Sequence, residues 1–249
     1  MRKHRHCFIV GAQRSGTTYL YRILDSHPEI YMAKPLRPEP KFFLNQDKYE
    51  KGYSYYLAEY FPESMNAAEL LGEKSTSYIE SSEAASRIQN WFPNAKLLII
   101  LWNPVQRALS NYYFSVEHGL ETRTPEEVFI EQVSAPQIPV EISVSPFDYL
   151  KRGNYLPYIK LYRQLFSKEQ INILIFEKVV GNIQPIQNLY QWLGVSPDHV
   201  SPFLLNKINP SEQKQSIGRQ IYDFLYSYFH DQVAELEDCL NISLSEWKK

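Results

Sequence analysis

The chain opens on a short apolar run, Cys7-Phe8-Ile9-Val10, stopped by Gly11. A brief uninterrupted apolar stretch of this kind predicts a strand buried on both faces. From Thr17 to Ser26 the period changes. Leu20, Ile23 and Leu24 recur at helical spacing, and His27-Pro28 ends the helix. Three prolines in the six residues from Pro35 to Pro40 then impose an extended path. A helix is expected over Tyr53 to Tyr60, a strand end over Leu70 to Lys74, and a Ser-capped helix over Ser82 to Trp91.

Lys96 to Leu101 carries the clearest buried strand, Leu97-Leu98-Ile99-Ile100-Leu101. Asn103-Pro104 ends it, and Pro104 suits the first position of a helix running to about Glu117. Further helices are expected over Pro125 to Gln132, Tyr149 to Phe166, Pro185 to Leu193 and Gly218 to Cys239, with a third buried strand over Ile171 to Phe176. The stretch Ser134 to Pro146 has no helical period and reads as a long loop. Strands alternating with helices predict an α/β fold with a central parallel sheet flanked by helices. No Gly/Ser-rich linker interrupts the 249 residues, so a single domain over 1–249 is the expectation.

Composition narrows the function classes. A net charge of -2 argues against a general nucleic-acid binder. Cys7 and Cys239 stand alone, without metal-ligand spacing, and the scattered histidines form no metal-binding pair in the body of the chain. No apolar run approaches the length of a membrane span or a signal-peptide core, and the expectation is a cytoplasmic protein that needs no metal. Oligomeric state is not readable.

The chemistry concentrates in Gly11-Ala12-Gln13-Arg14-Ser15-Gly16-Thr17-Thr18, between the first strand and the first helix. The glycine spacing is that of a P-loop, but Thr17 occupies the position of the P-loop lysine. A nucleoside triphosphatase also wants an acid at the end of a buried strand to help hold magnesium, and the strand ending at Leu101 is followed by Trp102-Asn103-Pro104. Loop amides, the helix N-terminus, Arg14 and the hydroxyls of Thr17 and Thr18 are equipped instead for a single phosphate.

On these residues the chain resembles the PAPS-dependent sulfotransferases, whose donor is 3′-phosphoadenosine 5′-phosphosulfate and whose nucleotide product is PAP. Arg14-Ser15-Gly16-Thr17-Thr18 looks like the family's 5′-phosphosulfate loop, which is P-loop-like. The resemblance implies that Arg14, Ser15, Gly16, Thr17 and Thr18 hold the 5′-phosphate. Pro104, Arg107, Ala108, Ser110 and Tyr112 match the family's second element, in which Ser110 takes a 3′-phosphate-binding role. Trp102 stands where the family has an arginine on that phosphate. Either Lys207, Lys214 or Arg219, from the C-terminal stretch, replaces that cation, or the donor site is weakened.

Glu39-Pro40-Lys41-Phe42-Phe43 resembles the Glu-x-His-Phe-Phe segment of heparan-sulfate-type and bacterial members, which implies that Glu39 is the catalytic base. Glu73-Lys74-Ser75-Thr76-Ser77-Tyr78 resembles their Glu-Lys-Thr-Pro-x-Tyr segment, which implies an active-site role for Lys74. Lys74 and Arg14 are then the cations for the transferring group and the leaving phosphate, with Glu73 an alternative base or an orienting residue. His118, just before Gly119, reads as a helix-end residue rather than an acceptor contact.

The expected activity is transfer of a sulfuryl group to a hydroxyl, or less readily an amine, of a small metabolite or saccharide. A small-molecule P-loop kinase and a non-catalytic nucleotide-binding relative are the alternatives.

Overall fold

The computed structural model describes residues 4–61, 68–137, 144–205 and 217–248. From the N-terminus the elements run β1 (Arg5–Gly11), α1 (Thr17–Asp25), β2 (Ile30–Met32), α2 (Gln46–Glu50), α3 (Gly52–Tyr60), β3 (Leu70–Lys74), α4 (Ser82–Trp91) and β4 (Lys96–Leu101). They continue with α5 (Pro104–Glu117), α6 (Pro125–Phe129), α7 (Leu156–Arg163), β5 (Ile171–Ile175), α8 (Phe176–Val179), α9 (Ile183–Leu193) and α10 (Arg219–Leu240). The strands form one five-stranded sheet in the order β2-β3-β1-β4-β5. Every neighbouring pair is parallel, so all the carboxyl ends share one edge.

The chain divides into two compact units, Met1–Leu101 with Ile159–Ile208, and Trp102–Tyr158 with Asn209–Lys249. The first contains the whole sheet. Side chains alternate across β1, so Cys7 and Ile9 join one core with Leu20, Ile23 and Leu24 of α1 and Ile186, Leu189 and Leu193 of α9. Phe8 faces the other way, against Phe43 and Phe92. Leu20, Ile23 and Leu24 are fully buried, each contributing about 1.5–3 kcal/mol by its removal from water. Burial on both faces explains why β1 and β4 read as unbroken apolar runs.

In the second unit α10 lies against α5 and α6. Gly153 makes a close approach there: a Cβ at that position would lie 2.5 Å from the Phe229 ring.

Several boundaries differ from the sequence reading, each for a local reason. Pro157 has no N–H to continue a helix through Gly153, so Tyr149 to Phe166 is a 3-10 turn at Lys151–Gly153 followed by α7. α6 stops at Phe129, short of Gln132, whose φ is 51°. The cap of α4 is Ser81, whose side chain accepts from the Ala84 N–H, rather than Ser82. Asn182 caps α9 three residues ahead of Pro185. The edge strand β2 and the five-residue α2 were not anticipated; neither is long enough to show a period. Of the loop from Ser134 to Pro146, residues 138–143 lie outside those described. Among the described residues no helix is long and apolar enough to cross a membrane.

Candidate active site

Because the sheet is parallel and β1 pairs with β3, the turn after Gly11 and the end of β3 lie side by side. Ile9 is in register with Lys74, and the Ser75 N–H donates to the Ile9 carbonyl at 3.2 Å. The loop leaves β1 tied to its other neighbour through the Ala12 N–H on the Ile100 carbonyl, 2.9 Å. Arg14 and Gly16 take left-handed conformations, φ 64° and 88°. The turn delivers the chain into α1 at Thr17, where the first amides of the helix have no carbonyl of their own helix to bond.

The turn is closely fitted. A Cβ on Gly16 would lie 2.4 Å from the Phe176 ring. Ser15 is fully buried, and its hydroxyl has no hydrogen-bond partner among the described residues. An unsatisfied buried hydroxyl beside helix-terminal amides suits an anion held in the turn, and 5′-phosphate chemistry fits these residues.

Glu39 leaves the Pro-rich segment and meets β3. One carboxylate oxygen accepts from Lys74 Nζ at 2.5 Å and the other from the Thr76 N–H at 2.8 Å. The Thr76 hydroxyl lies 3.0 and 3.2 Å from the two oxygens. Lys74 is nearly buried and the Glu39 side chain is 17% exposed, so the carboxylate is held from one side and open on the other. The structure thus brings Glu39 and Lys74 together at the sheet edge that carries Arg14 to Thr18. Thr76 was not singled out in the sequence; the only signal was a hydroxyl two residues beyond Lys74.

Glu73 points to the opposite face of β3 and does not touch Lys74. It is buried and accepts from the hydroxyls of Tyr78 at 2.6 Å, Ser75 at 2.8 Å and Tyr56 at 2.8 Å. Burial raises its pKa to about 6, although the three hydroxyls oppose the shift. A carboxylate enclosed in this way reaches no acceptor, so the geometry does not support its reading as the alternative base.

Ser110 and Trp102 belong to the second unit. Ser110 is buried on α5, and the Trp102 carbonyl accepts from Tyr155 Oη at 2.6 Å. Asn103 caps α5 by accepting from the Val105 and Gln106 amides, as Asn-Pro at a helix start suggests. Lys207 and Lys214 lie outside the described residues. Arg219 is exposed at the start of α10, 3.7 Å from Asp223. His118 holds the Phe114 carbonyl at 2.8 Å at the end of α5.

The loop after α5 is built around Glu121. Its carboxylate accepts from Arg123 Nε and Nη2 at 2.9 and 2.6 Å and from Tyr149 Oη at 2.9 Å. Burial would raise the pKa of Glu121, but Arg123 and Tyr149 outweigh burial and hold it below the usual carboxylate value. Among the described residues no group of three or more His, Cys, Asp or Glu side chains is placed to hold a metal ion.

Comparison with known proteins agrees with the fold. The family model described as "Sulfotransferase domain" matches residues 4–216. The chain is 31% identical over 258 residues to human bifunctional heparan sulfate N-deacetylase/N-sulfotransferase 3, covering 94% of this chain and 29% of that protein. It is 32% identical to the corresponding enzyme 1 of Xenopus laevis, covering 93% and 29%. The chain therefore spans under a third of the length of these curated relatives. A crystal structure of a sulfotransferase from Alicyclobacillus acidocaldarius superposes with a TM-score of 0.77 at 27% identity, covering 99% of this chain and 100% of that one. A mouse sulfotransferase complexed with PAP shares the fold at a TM-score of 0.55 and 14% identity, covering 95% and 85%. With the parallel sheet and a family match over most of its length, the chain belongs to the sulfotransferase family, whose members transfer sulfuryl groups.

Proposed function

We propose that the protein transfers the sulfuryl group of PAPS to a saccharide or small-metabolite acceptor, with Glu39 as general base. The observation that carries the reading is the Glu39–Lys74 pair at 2.5 Å, on the sheet edge that also carries the anion-accepting turn. The donor supplies an activated sulfuryl group on a good phosphate leaving group. Amides and hydroxyls from Ser15 to Thr18, with Arg14, grip its 5′-phosphate and take up the charge that grows there on departure. Ser110 and a cation yet to be identified serve the 3′-phosphate.

Glu39 removes the acceptor proton as the new bond to sulfur forms. Lys74 and Thr76 hold that carboxylate in one orientation, and in this reading the Lys74 ammonium stabilises charge on the sulfuryl oxygens. The acceptor atom is a hydroxyl oxygen in this reading. An amine is the second reading, favoured by relatives whose name includes N-sulfotransferase. The segment from Gly119 to Pro146 lies outside the donor motifs in the sequence and in this reading shapes acceptor choice. The expected compartment is the cytoplasm.

The test is single-turnover transfer of label from PAPS to saccharide acceptors bearing a free hydroxyl or a free amine. In Glu39→Gln, turnover falls at least about a hundredfold while PAP binds as in the wild type. Turnover within a few fold of wild type in that variant removes Glu39 from the role.

A further inference from the structure

Glu39 sits on a segment with little regular structure, and a general base needs a fixed position. The segment is held from beneath by a buried polar network that the transfer chemistry does not use. The Lys41 N–H donates to Ser75 Oγ at 2.9 Å, and the Ser75 hydroxyl donates to Glu73 at 2.8 Å. The Phe43 N–H donates to Tyr78 Oη at 3.1 Å, and the Tyr78 hydroxyl donates to the same Glu73 oxygen at 2.6 Å. Two parallel relays thus run from one carboxylate to the backbone on either side of Phe42. Tyr56 satisfies the other oxygen at 2.8 Å.

We propose that Glu73 is a positioning residue for Glu39: through Ser75 and Tyr78 it fixes the backbone of the segment that carries the base. The inference rests on the reading of Glu39 as that base.

Four further observations support it. Each relay hydroxyl accepts a backbone N–H from the segment, so its own proton must go to an acceptor, and a carboxylate oxygen takes both. A neutral amide in place of Glu73 has one oxygen, which both relay hydroxyls already share, and turns its NH2 onto the Tyr56 hydroxyl, which donates inward. Lys41 has a left-handed φ of 46°, a conformation that a non-glycine residue keeps only when its surroundings enforce it, and its N–H is the one tied to Ser75. Phe42, between the two tethered amides, is fully buried with its ring 4.8 Å from Tyr56, so the network and the aromatic core grip the same turn. Burial lifts the Glu73 pKa to about 6 against three hydrogen bonds, so the charge is kept at a cost in stability. An apolar side chain would avoid that cost but would leave both relays without an acceptor.

The experiment introduces Glu73→Gln, Tyr78→Phe and Ser75→Ala into the wild type and into Glu39→Gln, and measures single-turnover rate, PAP affinity and thermal midpoint. In the wild-type background Glu73→Gln lowers the rate about tenfold or more, the order expected for a misplaced catalytic group, with PAP affinity unchanged. Tyr78→Phe and Ser75→Ala each lower it by about three- to tenfold, and they carry the test if Glu73→Gln does not fold. In the Glu39→Gln background none of the three lowers the residual rate further, because residues acting through one group are not additive. A wild-type rate in the relay variants, or the same fold loss in both backgrounds, overturns the inference while Glu39 stands. A wild-type rate in Glu39→Gln alone overturns the reading of Glu39, and this inference with it.

Discussion

Replacing Gly16 with alanine tests whether the turn after β1 is the rigid grip its geometry indicates. Two costs follow from the structure. Gly16 has φ 88° and ψ 14°, a left-handed conformation that costs an L-residue roughly 1–2 kcal/mol. The added Cβ would also lie 2.4 and 2.6 Å from two carbons of the Phe176 ring. Carbon contacts are comfortable at about 3.5–4.0 Å, and overpacking of this kind costs about 1–3 kcal/mol.

The sum, roughly 2–5 kcal/mol, is a large part of the 5–15 kcal/mol by which domains are stable. Equilibrium urea unfolding of wild type, Gly16→Ala, Phe176→Ala and the double variant separates the terms. The double variant relieves the overlap and keeps the strained φ, so the cycle should show a favourable coupling of about 1–3 kcal/mol. In the folded fraction of Gly16→Ala the turn amides shift, and PAP affinity drops about tenfold or more, equivalent to about 1.4 kcal/mol. Stability within about 0.5 kcal/mol of wild type, or a coupling near zero, would refute the packing argument.

Thr76→Val keeps the N–H on Glu39 and removes the hydroxyl; turnover should fall about three- to tenfold in the transfer assay with PAP affinity unchanged. His6 is buried against Phe92, ring centroids 4.1 Å apart, and burial, then His4, lowers its pKa to about 3. The folded state keeps it neutral while the unfolded chain takes up a proton near 6.5, so its stabilisation is present above pH 6.5 and is lost as the pH falls toward 3. Wild type should therefore lose about 2 kcal/mol relative to His6→Phe between pH 6.5 and 5, measured by denaturant midpoints. Glu73 acts in the opposite sense: its raised pKa means the folded state binds the proton more tightly, so its contribution grows as the pH falls from about 6 toward 4.5 and is lost as the pH rises through 6.

Much of the fold and half of the site are local in origin, and the sequence by itself determined them. Cys7 to Val10 and Leu97 to Leu101 are apolar without alternation because both faces of β1 and β4 are covered, and that requirement is written residue by residue. The turn from Gly11 to Thr18 is a contiguous segment with left-handed positions at Arg14 and Gly16, so the proposed phosphate grip is argued from neighbouring residues. Asn103-Pro104 announces the start of α5 in the same way.

Tertiary structure decided what lies between distant segments. Glu39 and Lys74 are 35 positions apart, and only the pairing of β1 with β3 and the course of the Pro-rich segment bring them within 2.5 Å. Nothing in Glu73-Lys74 says which of the two side chains meets Glu39. The strand's alternation sends Lys74 to Glu39 and Glu73 into a cage of three hydroxyls, and burial does the rest. Even the turn after β1 owes something to distant residues. Gly16 is required by its positive φ, a local demand, and also by the Phe176 ring just beyond the end of β5, a contact that exists only once the sheet is assembled.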